Sequence, residues 1–476
     1  MKDRKKIRIH IPGGNLPPVE LRNIISLANS LGADYIEPSS RQEILFDIPQ
    51  ASAANGEYLI KLKALPFAFD DASTHSTNLV TSQPVVDVYS KSSWVSEGVY
   101  LDILSSFDTN PSLRINITDL EQEMFPWWGG KLNYVASDRL GFWHLIWEDN
   151  EKNLKVFPEL IYTNLIPSVS RDMTQAILAN KYSSAMKMST DFKTFLQTQN
   201  REKWKQKKFP RTEGFHRYGN KYWLGLFARD YKFPISLLES LCQISAQTQS
   251  AKLGITPWKT FLFRDIQEKD LPKWSEVLEK YRWNTRHSGL ELSWFVTDHD
   301  EDAGFLKKKI LKKLDSVDVF PAGFSLGIFS EGETQLTHIK VERKYRFPKL
   351  KILGSNYSVY FSNAPWEKES QTSPIISVGT SSGVVEIISN LISGKISLSE
   401  TEVNDNKPVV FAQREITQEV YRCKDCWTVY DSKFGDLEQG ISKSTSWDSL
   451  PNEYKCPICE NPKSKFELVS GLLAVD

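Results

Sequence analysis

Apolar residues near the amino terminus alternate with polar ones and then change to a helical period. Ile7, Ile9 and Ile11 occupy every second position, which predicts a strand with one buried face. After Pro17-Pro18, one face of a predicted helix carries the apolar residues Leu21, Ile24, Ile25, Ala28 and Leu31. A strand at 35–37 and a turn at 38–42 follow, and the chain then returns along 44–48. This pattern predicts a β-α-β-β unit.

The same order of elements recurs about 218 residues later. A strand at 222–227 precedes an amphipathic helix and a second strand pair, which turns at 256–259. Arg41 and Lys259 each lie seven residues before an isoleucine that follows an aspartate. A duplicated half-unit accounts for this, and chance similarity of two amphipathic units is the alternative.

Several charged or glycine-rich runs could bind ions, but the sequence favours structural roles for them. The strand at 375–378 enters a glycine-bracketed helix start at 379–383 that lacks a P-loop lysine, so we predict a simple helix cap. The acidic run at 298–302 is predicted to be a solvated loop. The basic runs at 201–208 and 307–313 are predicted to be solvated faces or linkers.

Composition excludes some classes of function. The 476 residues include 59 basic and 59 acidic side chains, and the resulting zero net charge argues against nucleic acid as a partner. No stretch is long and apolar enough to span a bilayer, and residues 1–11 lack the continuous apolar core of a secretory signal. We therefore expect a cytoplasmic protein that binds neither membrane nor nucleic acid.

Four of the five cysteines form two C-x-x-C hooks within the last 54 residues: Cys423, Cys426, Cys456 and Cys459. Two such hooks that face each other make a tetrahedral S₄ cage, which suits zinc or iron. Disulfides or buried thiols are the structural alternative, which the tight pairing disfavours. The spacing alone leaves zinc and iron open.

The residues around the hooks, from Tyr421 to Val469, closely resemble rubredoxin, a one-iron electron carrier. The match includes Val429-Tyr430-Asp431, Gly435-Asp436, Leu450-Pro451 and the Cys-Pro-x-Cys hook, and it needs no gap. The resemblance implies one iron ion in the Cys₄ site. It also implies an aromatic cluster beside the metal, formed by Tyr421, Tyr430, Trp447, Tyr454 and Phe466.

Two positions depart from the rubredoxin pattern. Trp427 and Glu460 follow the second cysteine of each hook, where rubredoxins usually have glycine because the backbone φ is positive. We expect a shifted reduction potential rather than a lost site. The segment has eight acidic and seven basic residues, so steering towards a basic partner is expected to be weak.

The duplicated pattern resembles the siroheme-dependent nitrite and sulfite reductases over roughly residues 1–395. Ser39-Ser40-Arg41-Gln42 is similar to a Thr-x-Arg-Gln turn of that family, and Thr256-Pro257-Trp258-Lys259 is similar to its second-half counterpart. The resemblance implies that Arg41 and Lys259 are candidates for anion binding. We assign no catalytic residue and no residues that bind a further cofactor.

Outside the hooks the chain has one cysteine, Cys242, which lies on the apolar face of the second helix and is predicted to be a buried thiol. Siroheme reductases ligate a [4Fe-4S] cluster through four cysteines. We therefore predict that the body holds no such cluster, and the sequence does not favour siroheme.

These observations predict an α+β fold. In it, duplicated ferredoxin-like half-domains alternate with two α+β reductase-like lobes, and a small rubredoxin domain follows. The predicted half-repeats are 1–80 and 213–279, the lobes 81–212 and 280–400, the linker 401–418 and the rubredoxin domain 419–470.

Two functional hypotheses follow from the resemblances. The favoured one is one-electron transfer to or from a redox partner protein, on a non-catalytic reductase-like scaffold that serves nitrogen or sulfur assimilation. The alternative is a siroheme- or tetrapyrrole-binding reductase that is fed by its own rubredoxin.

Overall fold

The computed structural model describes most of the body and most of the C-terminal segment. The described residues are 4–54, 56–72, 79–89, 94–107, 111–119, 122, 124–125, 129–148, 154–179, 195–196, 213–250, 252–285, 294–296, 300–317, 319, 325–330, 337–345, 355–361, 376–378, 380–393, 419–424, 428–430, 432, 435–436, 439–442, 444–457 and 459–470. The chain divides into two compact units, residues 1–307 with 321–380 and residues 308–320 with 381–476.

The described part of the chain contains 25 strands. In chain order they are β1 Arg4–Ile9, β2 Asn15–Leu16, β3 Tyr35–Pro38, β4 Ile44–Pro49, β5 Phe69–Asp70, β6 Val80–Thr81, β7 Ile115–Thr118, β8 Leu132–Ala136, β9 Phe142–Glu148, β10 Leu154–Val156, β11 Glu159–Tyr162, β12 Phe195–Leu196, β13 Gly214–Tyr218, β14 Lys221–Leu226, β15 Phe233–Pro234, β16 Lys252–Ile255, β17 Phe261–Gln267, β18 Trp294–Val296, β19 Leu326–Ser330, β20 Ile339–Tyr345, β21 Ser355–Phe361, β22 Ile376–Val378, β23 Glu419–Cys423, β24 Val429–Tyr430 and β25 Phe466–Ser470.

The α-helices of the described residues lie between these strands. They are α1 Pro18–Ser30, α2 Gln50–Ala54, α3 Glu57–Lys63, α4 Val86–Tyr89, α5 Glu97–Ser105, α6 Ile166–Leu178, α7 Ile235–Gln247, α8 Leu271–Lys280, α9 Glu301–Ser316 and α10 Ser381–Ile392.

Two five-stranded sheets contain the repeated segments and exchange one short strand each. Their orders are β15-β3-β4-β1-β5 and β13-β14-β17-β16-β2. Strand β2, which precedes α1, pairs with β16, while β15, which precedes α7, pairs with β3. Helices α1 and α7 bury their apolar faces in one common core, as the spacing of Leu21, Ile24 and Ile25 predicted.

The two repeated segments correspond almost residue for residue. Arg4–Ile9 and Lys221–Leu226 are 217 residues apart (221 minus 4), and Pro18–Ser30 and Ile235–Gln247 keep the same spacing. A bulge in β17 breaks it, because Leu224 pairs with Phe263 but Tyr222 pairs with Ile266. Asp265 adopts φ +66° there, so the second segment has one extra residue.

The remaining two sheets of the body share a pattern of strand directions. One has the order β12-β11-β9-β8-β7-β6, with β10 paired to β9, and the other is β18-β19-β20-β21-β22. In both, two parallel pairings are followed by antiparallel ones, and a helix connects the first two strands. Parallel neighbours require such a crossover, which α5 and α9 provide.

Two of the charged runs differ from prediction. Residues 301–302 of the acidic run begin α9, and Asp300 forms an ion pair with buried Arg343 at 2.7 Å, so this part is not a solvated loop. Lys307 in the basic run is 2% exposed because it faces the rings of Tyr231 and Phe227. Residues 298–299 and 201–208 lie outside the described residues.

The described part of the chain contains no helix that combines the length and the apolar character needed to cross a membrane. The cytoplasmic location stays a prediction.

Candidate metal centre

A three-stranded sheet, β24-β23-β25, positions the first cysteine hook. Cys423 ends β23, pairs with Phe466 across the sheet, and donates its backbone N–H to the carbonyl of Thr428 at 2.8 Å. This hydrogen bond joins the residue at the end of β23 to the residue just before β24. Cys426, the second cysteine of this hook, lies outside the described residues.

The second hook closes in the same way. The backbone N–H of Cys456 donates to the carbonyl of Asn461 at 2.8 Å, and the N–H of Glu460 donates to the carbonyl of Cys456 at 2.9 Å. Glu460 adopts φ +57°, which confirms the left-handed backbone expected after the second cysteine. The side chain of Glu460 is exposed, so the left-handed position costs backbone energy without burying a charge.

The sulfur atoms of Cys423, Cys456 and Cys459 lie within 4.8 Å of one another. The Cys423 and Cys459 sulfurs are 3.6 Å apart, much farther than the roughly 2.05 Å of a disulfide. A tetrahedral site with metal–sulfur bonds of about 2.3 Å has edges of about 3.8 Å. The three described thiols therefore fit one tetrahedral metal ion, and they form no disulfide.

Burial distinguishes the three described cysteines. Cys423 and Cys456 are 0% and 1% exposed, whereas Cys459 is partly exposed. Among these three cysteines, Cys459 is therefore the most exposed residue. Its side chain also accepts a hydrogen bond from Nδ2 of Asn461 at 3.2 Å.

The predicted aromatic cluster is present beside the hooks. The Trp447 ring stacks on Tyr421 with centroids 4.2 Å apart and contacts Phe466 at 5.0 Å. Tyr430 and Tyr454 complete the cluster at 5.6 Å from each other. Burial, followed by the nearby Asp436 carboxylate, raises the pKa of Tyr454 and keeps its hydroxyl protonated as a donor to Asp436 at 3.1 Å.

One glycine of the matched motif is required by the fold. Gly435 adopts φ +65°, and a Cβ there would lie 2.5 Å from the carbonyl oxygen of Ser442. This tight turn holds the bridge between Asp436 and Ile441, on which the Tyr454 hydrogen bond depends.

In the body, Arg41 lies in the turn between β3 and β4 but faces protein groups. Its guanidinium donates to Asn116 Oδ1 at 2.6 Å and to the carbonyl of Ile115 at 3.0 Å. The side chain is 6% exposed. These contacts tie the first repeated segment to β7.

Lys259 is not the structural counterpart of Arg41, which corrects the equivalence that the sequence indicated. Gln42 and Lys259 both donate their backbone N–H back across the turn and adopt φ +61° and +60°. Trp258 therefore corresponds to Arg41. The sequence comparison counted back seven residues from Ile48 and from Ile266. The extra residue at the Asp265 bulge places Ile266 one position later than the counterpart of Ile48, so the count reached Lys259 instead of Trp258.

Lys259 lies in a buried group of aromatic and basic side chains. Its ammonium is 4.4 Å from the Tyr231 ring centroid, and the Lys307 ammonium is 4.1 Å from the same centroid. Lys307 also donates to the Tyr231 hydroxyl at 2.6 Å. No pattern in the sequence pointed to this role of Lys307, because Tyr231 and Lys307 come from elements 76 residues apart.

A second charged network, which the sequence patterns did not predict, involves Arg8 of β1 and His10 just after the strand. His10 is 3.0 Å from Glu43 through Nδ1 and 2.9 Å from Asp70 through Nε2, and Arg8 contacts Asp70 at 2.8 Å. Burial lowers the pKa of His10, but the two carboxylates outweigh it and the net shift is upward. The alternation in β1 was a usable signal, because it places Arg8 and His10 opposite the isoleucines.

Cys242 is the buried thiol that the sequence predicted. It is 3% exposed in α7, and burial raises the pKa of its thiol to about 12. A thiol in such surroundings is a poor nucleophile and a poor metal ligand.

The C-terminal segment combines a three-stranded sheet with three cysteine sulfurs that converge on one point. The rubredoxin family model matches residues 420–466. Probable rubredoxin HupI of Bradyrhizobium diazoefficiens is 45% identical over 63 residues, which cover 13% of this chain and 91% of that protein. Rubredoxin-1 of Chlorobaculum tepidum is 34% identical over 64 residues, or 13% and 87% of the two chains. Through this segment, the chain belongs to the rubredoxin family.

The body has a different relative. The structure of the Mycobacterium tuberculosis NirA protein superposes with a TM-score of 0.64 and 13% sequence identity, and the match covers 84% of this chain and 82% of that one. At this level of identity the match shows a shared fold. The protein combines a mixed α/β body with a small rubredoxin domain, and Cys242 is its one cysteine outside the hooks.

Proposed function

We propose that the C-terminal segment carries single electrons through one iron ion held by Cys423, Cys426, Cys456 and Cys459. The observation that carries this proposal is the convergence of the three described sulfurs within 4.8 Å, in a segment whose relatives are rubredoxins. An iron ion in a thiolate cage supplies a one-electron couple. The residues of this chain hold the sulfurs, exclude water and provide the route to a partner.

The packing around the hooks suits that role. Cys423 and Cys456 are buried against the cluster of Trp447 and Phe466, which keeps water away from two sulfurs. A closely packed site changes little in geometry when its charge changes. The partly exposed Cys459 gives electrons a short path to a docked protein.

The metal content tests this proposal. Protein prepared with iron available is expected to contain one iron per chain, to be red when oxidised and to bleach on one-electron reduction. Cys242→Ser should leave the colour unchanged, because that thiol lies in the body. Stoichiometric zinc without iron in protein from native cells would refute electron transfer by this site.

We propose that the body is a non-catalytic scaffold that docks a redox partner protein, in nitrogen or sulfur assimilation. The contacts of Arg41 with Asn116 and Ile115 support a structural role for the predicted anion-binding side chain. The carboxylates of Glu43 and Asp70 balance Arg8 and His10, so this network offers no excess positive charge to an anion.

The single body cysteine also supports a body without a [4Fe-4S] cluster, because four thiolates are needed. Acid-labile sulfide is expected to be absent from the purified protein. Several sulfides per chain would contradict this and would require thiolates from another chain.

The 217-residue spacing that relates β1 to β14 and α1 to α7 supports a duplication of ferredoxin-like half-domains. We propose that these occupy 1–80 and 213–279, alternating with lobes at 81–212 and 280–400, before a linker at 401–418 and the rubredoxin domain at 419–470. The exchange of β2 and β15 between the two sheets is the feature that supports a pseudo-twofold arrangement.

A tetrapyrrole-binding reductase remains the second candidate, and the side chains around Tyr231 favour it. Lys259 and Lys307 bring two buried ammonium groups to one ring, and the carboxylates of siroheme need basic partners. Anaerobic titration with siroheme tests this candidate. A saturable spectral change that weakens in Arg41→Ala or Lys259→Ala, with loss of roughly a hundredfold in turnover, would replace the scaffold assignment. No spectral change would support the scaffold.

A further inference from the structure

Asn461 occupies a fixed position at the end of the second hook. Its carbonyl accepts the backbone N–H of Cys456 at 2.8 Å, and the neighbouring N–H of Glu460 is held by the Cys456 carbonyl. These bonds fix the backbone on both sides of the Asn461 side chain. The carboxamide is thereby directed at Cys459, with Nδ2 at 3.2 Å from the sulfur.

The chemistry of the sulfur decides which end of the carboxamide faces it. A metal-bound thiolate is negatively charged and accepts hydrogen bonds, so an N–H stabilises it and a carbonyl oxygen would repel it. Cys459 is also the partly exposed cysteine of the three described ones. Asn461 therefore contacts the sulfur of the most exposed of the three described cysteines.

We propose that the side-chain N–H of Asn461 raises the reduction potential of the iron site by donating to the Cys459 thiolate. This inference rests on the proposed function, because it requires iron in the cage. Reduction adds one electron to the iron and makes or breaks no covalent bond, so the charge of the iron with its four thiolates changes from −1 to −2. The added charge strengthens an N–H donor at sulfur, which favours the reduced state.

Two substitutions in the full chain test the inference. Asn461→Ala removes the donor, and Asn461→Asp keeps the shape of the side chain but replaces the donor by a carboxylate. Asn452→Ala changes an exposed asparagine in a turn of the same segment and serves as the control. All proteins are loaded with iron, and the iron content of each is measured.

The reduction potential is measured by spectroelectrochemical titration. Asn461→Ala is expected to lower the ratio of reduced to oxidised protein at a fixed applied potential about tenfold, which is 59 mV for a one-electron couple. Asn461→Asp should lower the potential further, and Asn452→Ala should leave it unchanged. The sulfur-to-iron absorption bands should shift in both Asn461 variants, because the donor acts on a ligand sulfur.

The outcomes separate this inference from the proposed function. A wild-type protein without a one-electron couple would refute the iron carrier itself. A normal couple that is unchanged in iron-loaded Asn461→Ala, or that shifts equally in Asn452→Ala, would overturn only the role of Asn461.

Discussion

In the C-terminal hooks, three cysteine side chains turn towards one point and leave their sulfurs available to a metal, whereas in the turn at 39–43 the guanidinium of Arg41 is already bound to Asn116 and Ile115. Both features are turns whose side chains are candidates for binding an ion. In the hooks, the three described cysteine sulfurs lie close enough together to bind one metal ion. In the turn at 39–43, the charge of Arg41 instead joins two sheets. The comparison shows that the partners of the side chains, and not the sequence of a turn, indicate whether the turn can bind an ion.

The largest expected effect is on the metal site, when one of its sulfurs is removed. Cys459→Ser replaces a thiolate with a hydroxyl, which is a poor ligand for the iron in such a cage, so we expect the red colour to be lost or greatly shifted. Metal analysis and visible absorbance measure the effect. An unchanged spectrum would show that Cys459 is not a ligand.

Removing the guanidinium of Arg41 should test whether this side chain has a structural role in the body. Arg41→Ala takes away charged hydrogen bonds to Asn116 and Ile115, so the body is expected to lose about 2 kcal/mol of stability while the reduction potential stays the same. Thermal unfolding and potentiometry measure the two quantities. Arg217→Ala, at an exposed arginine of β13, should change neither. A lower potential with normal stability would contradict a structural role for Arg41.

The network at His10 gives the body a pH dependence that the Arg41 contacts lack. The pKa of His10 is raised above its ordinary 6.5, so its ion pairs stabilise the fold fully below that pH. We expect the stabilisation to be lost as pH rises through the folded-state pKa. Melting temperatures from pH 6 to 9 test this, and His10→Gln should flatten the decline. An identical decline in wild type and His10→Gln would assign it to other groups.

The smallest predicted effect concerns the backbone of the second hook. Glu460 is held at φ +57°, which costs a residue with a side chain about 1 kcal/mol. Glu460→Gly should raise the stability of the iron-loaded site by roughly that amount. The guanidinium concentration at which the red colour is lost measures the change. Glu453→Gly, at an exposed turn residue outside the left-handed region, should give no gain.

The sequence predicted those features that depend on local spacing. Cys456-x-x-Cys459 brings two sulfurs together through one turn, and the aromatic residues around the hooks follow a pattern that the family match repeats. The apolar face of α1 and the alternation in β1 likewise require only the geometry of a helix and a strand. The buried thiol of Cys242 followed from its place on the apolar face of α7.

The tertiary structure decided which polar groups meet. Arg41 and Asn116 are 75 residues apart and belong to different sheets, so the packing of those sheets, rather than sequence spacing, brings their side chains within 2.6 Å. One extra residue at the Asp265 bulge moved the apparent partner of Arg41 from Trp258 to Lys259. Lys307 became buried because the Tyr231 ring lies over its ammonium. Such contacts depend on strand order and bulges, which fix long-range neighbours and leave no regular period in the sequence.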